Sequence, residues 1–104
     1  MQMSWDRLTD EFEERALDLI ENVAGSIDTI DQQLADECLG SLARLRDFAM
    51  GKAMLPKKTV SVIYEVFNGI DHLREWQPDN EPLAIFVDTL NDLIQAVIDP
   101  NPSD

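Results

Sequence analysis

Between Ser4 and Ala24, apolar and acidic residues separate almost completely, with the period of an α-helix. At about 100° per residue, Trp5, Leu8, Phe12, Ala16, Leu19, Ile20 and Val23 fall on one side of the wheel. Asp6, Asp10, Glu11, Glu13, Glu14, Asp18 and Glu21 take the other. A strand alternates with a period of two and cannot sort these residues this way. A chain that begins so must cover the apolar side of a helix with other helices or with a sheet. Ser4 is a suitable N-cap and Gly25 a suitable residue just past the end.

Three further segments repeat the pattern. From about 28 to 50, Ile30, Leu34, Cys38, Leu42, Leu45 and Ala49 make a stripe with Phe48 beside it. Thr29 with Gln32 fits a capping box, and Asp28 is an alternative cap. Gly40, mid-segment, implies either close packing or a kink, at a cost of about 1 kcal/mol against alanine. From about 57 to 77, after Pro56, residues 59–67 are rich in β-branched and aromatic types and also fit a strand. Asn68-Gly69 is formally a hairpin signal. The threefold recurrence of Ile70, Leu73 and Trp76 decides for a helix, with a kink or break expected at Gly69. Its apolar residues Val60, Val62, Ile63, Val66, Phe67, Ile70 and Leu73 cover a broad face of about 160°.

The fourth segment, about 81–99, follows the stop signal Gln77-Pro78-Asp79-Asn80-Glu81-Pro82, in which Asn80 fits the cap position. Leu83, Phe86, Val87, Leu90, Leu93, Ile94, Val97 and Ile98 form its stripe. Four helices of similar length with short connections predict an all-α, up-down-up-down four-helix bundle over residues 1–99. Residues 100–104 are expected to be a frayed tail.

Charge narrows the functional classes. The chain carries a formal net charge of −13 on 104 residues, with 44% hydrophobic residues to supply one core. Nucleic acids and anionic membranes are polyanions, so neither is expected to bind directly. No apolar run approaches the roughly 18 residues of a membrane span. The opening Met1-Gln2-Met3-Ser4-Trp5-Asp6 has neither a basic nor an apolar stretch, so no secretory leader is expected. Cys38 is the single cysteine, consistent with a reducing, cytoplasmic setting.

The charge is uneven. Residues 1–43 hold eleven acids against two arginines, and residues 59–104 hold nine acids against one. Between them, Arg44, Arg46, Lys52, Lys57 and Lys58 face only Asp47. A bundle brings this stretch to one end, where Lys52, Lys57 and Lys58 define a basic tip. The helix dipole accounts for Arg44 and Arg46 but opposes Lys57 and Lys58 at a helix N-terminus.

Little points to catalysis, and no cofactor or metal is expected. His72 is the only histidine, whereas a bundle metal site needs paired Glu-x-x-His motifs. Glu11, Glu14 and Asp18 share one face in the manner of magnesium-dependent all-α nucleotide pyrophosphohydrolases, but no second such pair follows. More telling are apolar residues off the stripes. Leu17 falls among Asp10, Glu13, Glu14, Asp18 and Glu21; Trp76 and Ile85 also miss the core faces. A large apolar residue ringed by acids has the make-up of an interface anchor with a charged rim. The expectation is a non-enzymatic acidic module that binds a basic partner protein, masking its nucleic-acid-binding surface as small immunity, antitoxin and anti-defence proteins do. The alternative is a homodimer or larger oligomer that buries the broad face of the third helix.

Overall fold

Each helix begins where a polar side chain or a proline suits its first turn. The computed structural model describes residues 4–26, 29–52 and 54–98, and it contains four helices: α1 (Trp5–Ala24), α2 (Gln32–Ala49), α3 (Lys57–Trp76) and α4 (Glu81–Ile98). Ser4 caps α1 by accepting from the Arg7 N–H. Asn80 caps α4 by accepting from the Leu83 N–H at 3.2 Å. Pro56 precedes α3, which needs no donor there. Helix α2 starts later than the sequence pattern implied. Its cap is Asp31, which accepts from the Leu34 N–H, so Thr29 and Ile30 belong to the preceding loop. The alternative cap, Asp28, and the expected tail at 99–104 lie outside the described residues.

No strand occurs among the described residues, and 59–67 lie wholly within α3. That helix runs unbroken through Gly69, where a kink was expected. The glycine faces α1: a Cβ placed there would lie 3.5 Å from Ile20 Cδ1, ordinary van der Waals contact. Helix α2 likewise continues through Gly40, and a Cβ there would meet only Arg44 Nη1 at 3.9 Å. Gly25 ends α1 with right-handed φ; the left-handed glycine is Gly51, at φ 80°.

Helix directions alternate, as in the expected bundle, but the spatial order differs from a simple up-and-down circuit. Trp5 meets Phe48 edge-on at 5.0 Å, and Arg15 pairs with Glu37, so α1 and α2 are antiparallel. Thr9 bonds Thr59 at one end, and Gln77 reaches the Val23 and Ser26 carbonyls at the other, so α1 and α3 are parallel. Among the described residues, α1 packs on α2 and α3, and α4 packs on the same two helices. The pairs α2/α3 and α1/α4 are therefore diagonal. Chain length permits this: axes about 9–10 Å apart give a diagonal of about 14 Å, well within reach of the seven residues at 50–56. A short connection did not force its two helices to be neighbours.

The core is mainly apolar. Phe12, Leu19, Leu42, Leu45, Ile63, Ile70, Leu83 and Leu90 are fully buried. The broad face of α3 is consumed inside the molecule. Val62, Ile63, Val66 and Ile70 are buried, and Phe67 and Leu73 are partly buried against the same core. The feature that motivated an oligomer is thus covered by α1 and α4. Among the described residues, no helix is long and apolar enough to cross a membrane.

The end of the bundle that carries the α1–α2 and α3–α4 turns is closed by amides. Gln77 Nε2 donates to the Val23 and Ser26 carbonyls at 2.9 and 3.0 Å. Asn80, 1% exposed, donates to Gln77 Oε1 at 2.9 Å and to the Thr29 carbonyl at 3.3 Å while capping α4. The stop signal is therefore also a clamp. Replacing Asn80 by alanine removes a cap and leaves partners without a donor, so Asn80→Ala is expected to lower unfolding free energy by about 1–3 kcal/mol. By contrast, Gly40→Ala is expected to raise it by about 0.5–1 kcal/mol, since the helix gains propensity and the site is open. Urea denaturation of both variants checks the two signs.

Candidate partner-binding face

Three of the eight lysines and arginines sit at seams between helices. Arg15 pairs with Glu37 and Arg44 with Glu11, both across α1–α2. Lys58 pairs with Asp10 at 3.0 Å and Asp6 at 3.8 Å, across α1–α3. The parallel packing explains this lysine, whose position opposes the dipole of its own helix. The first turn of α3 lies beside the first turns of α1, which supply two carboxylates. The hydrogen bond that Lys58 donates to Asp10 pushes the ammonium above the usual lysine range; desolvation opposes it, and the charges of Asp10, Asp6 and Glu13 add to it. Lys52 instead lies over the Phe48 ring, 4.1 Å from its centroid, and Lys57 is exposed. The three lysines of the basic tip thus have separate surroundings.

This pairing leaves the outward side of α1 negative. Glu14, Asp18 and Glu21 are exposed and Glu13 is half-buried, and none has an ion-pair partner among the described residues. Asp10 borders them with its carboxylate shared with Lys58. Leu17 stands among these acids, 51% exposed.

Trp76 closes α3 and is 74% exposed. Its indole Nε1–H donates to His72 Nε2 at 2.8 Å, one turn earlier, and the two rings lie 5.9 Å apart. The bond requires neutral His72 with its proton on Nδ1. Trp76, His72 and Leu73 form one wall of a groove of about 420 Å³, completed by Ala24, Ser26 and Gln77. Ala24 is two turns beyond Leu17 on α1, so both lie on the same stripe with Glu21 between them. The structure therefore brings Leu17 and Trp76 to the same pair of helices. Ile85, 61% exposed, is on α4, diagonal to α1.

Other candidate chemistry is dispersed. Glu11 is engaged by Arg44, while Glu14 and Asp18 point outward. Among the described residues, no three potential ligands gather into a metal-sized group. An open trough of about 630 Å³ over Gly40 mixes Arg15 and Arg44 with Asp36 and Glu37, which leaves it without a dominant sign. Cys38 is fully buried, and burial pushes its thiol up to about 12. Comparison with protein-family models, curated proteins and solved structures finds no match for this chain.

Sequence patterning missed the buried Thr9–Thr59 hydroxyl pair, 2.8 Å apart, and the clamp made by Gln77. Two threonines at wheel positions beside apolar stripes were the available signal for the pair. Nothing local marks Gln77 as a donor to α1, since the carbonyls it reaches are more than fifty residues away.

The cysteine yields a checkable pH dependence. Its folded pKa is raised from 9.0 to about 12, so between these values the unfolded chain loses a proton that the folded chain keeps. Stability contributed by the protonated thiol is complete below pH 9 and is lost as pH rises toward 12. Cys38→Ala is expected to decline less steeply than wild type over that window in denaturant titrations. The native thiol is expected to react with a disulfide reagent only as fast as the protein opens.

Proposed function

We propose that this protein is a non-enzymatic binding module that acts in the cytoplasm and inhibits a basic partner protein by covering its nucleic-acid-binding surface. The observation that carries the reading is the outward side of α1. Among the described residues, Glu13, Glu14, Asp18 and Glu21 there make no ion pair, while four of the basic side chains are held at seams or, like Arg46 with Asp47, beside an acid of their own helix. Such a face steers a cationic surface into contact and repels nucleic acid, which the bound partner then cannot reach. Leu17 gives the contact an apolar centre within the charged rim, and Trp76 extends it along α3. Asp10 contributes at the border, shared with Lys58.

The test is affinity capture of cell proteins on the immobilised chain at low and at high salt. A basic protein is expected at low salt and its recovery is expected to fall steeply as salt rises. Reversing two charges, Glu13→Lys with Glu14→Lys, is expected to weaken binding on the order of tenfold or more, since each partly screened pair is worth up to about 1 kcal/mol. Leu17→Ala is expected to weaken it at all salt concentrations, because an apolar anchor is not screened. Recovery of no basic protein at low salt, or binding indifferent to both salt and the double reversal, overturns the reading.

A further inference from the structure

The groove beside Trp76 has a chemistry of its own that the acidic side of α1 does not explain. Helices α1 and α3 are parallel and end together there, so two negative dipole ends lie side by side. The last turn of α1 has no basic residue and instead carries Glu21, an acid where the dipole disfavours one. The cation in the last turn of α3, Arg74, is two residues before Trp76 and so projects about 160° away from it. His72 takes the indole N–H, so the polar edge of the ring is satisfied while most of the ring stays exposed. Ala24 and Leu73 line the same groove and supply a small apolar floor.

Negative potential, an exposed electron-rich ring and a short apolar floor together complement one kind of side chain. We infer that the Trp76 groove receives an arginine of the basic partner, its aliphatic stem over Ala24 and Leu73 and its guanidinium stacked on the indole within reach of Glu21. Arginine fits better than lysine because its planar, weakly hydrated head stacks on an aromatic face. The inference rests on the proposed binding of a basic partner and names what that partner inserts.

The test uses three capped peptides of alternating sequence: arginine with glycine, lysine with glycine, and glutamine with glycine. NMR follows the two indole N–H signals, Trp5 and Trp76, and the α1 backbone amides. The arginine peptide is expected to shift the Trp76 indole and the Ala24 amide while leaving Trp5 unmoved. Trp76→Ala, a change at an exposed site, is expected to weaken arginine-peptide binding by about 3- to 30-fold, and Trp76→Phe by less. A peptide that shifts only the amides around Glu13 and Glu14, with unchanged affinity for Trp76→Ala, overturns the groove assignment and leaves the acidic-face reading intact. Equal binding of the lysine peptide overturns the choice of arginine, and equal binding of the glutamine peptide overturns the cationic class. No binding of either cationic peptide at low salt overturns both readings.

Discussion

Burial of four amphipathic stripes against one another fixes this molecule, and the contact between α1 and α3 shows how closely the rest depends on it. The two helices run parallel, tied near their starts by the Thr9 and Thr59 hydroxyls and near their ends by Gln77 on the Val23 and Ser26 carbonyls. Between the ties, Gly69 admits Ile20 and the apolar residues close over Phe12 and Ile63. Every buried side-chain nitrogen and oxygen among the described residues has a hydrogen-bond partner, so the polar groups drawn inside at Thr9, Ser41, Thr59 and Asn80 carry no desolvation deficit.

Parallel packing also organises the charge. Adjacent parallel helices bring like dipole ends together, which is unfavourable where nothing intervenes. At one end Lys58 meets Asp6 and Asp10, an arrangement impossible if α3 ran the other way. Arg15 and Arg44 do similar work between α1 and α2. With only eight lysines and arginines in the chain, cations placed at seams are not available to neutralise outward faces. The acidic exterior of α1 is thus a consequence of where the few positive side chains went as well as of how many acids there are.

The helices were legible because their signals are local. Ser4, Asn80 and the apolar periodicity act within a turn or two, and the fold followed them even at 59–67, where β-rich composition competed with helical spacing. Here tertiary burial of Val62, Ile63 and Val66 overrode strand propensity. The start of α2 was misplaced because several capping residues compete between Thr29 and Asp31, and the winner, Asp31, also donates its backbone N–H to Asn22 Oδ1 on α1. Helix adjacency was not legible, since it depends on how seven residues cross an end of the bundle. The site was legible as residues but not as a place. Wheel positions separated Leu17 and Trp76 from the core, whereas their convergence on α1 and α3 needed the parallel order. His72, exposed on the surface, accepts the Trp76 indole N–H, a pairing that metal-site spacing does not signal.

The diagonal link at 50–56 has a further consequence. Helices α1 and α2 form one antiparallel hairpin and α3 and α4 another, and this link is the covalent tether between them. In covalent terms the molecule is two hairpins joined by seven residues, and that tether sets the effective concentration of one half at the other. Stiffening or lengthening that stretch would tune the association of the halves without touching either one's own packing, and opening it would let a hairpin of one copy complete the core of another.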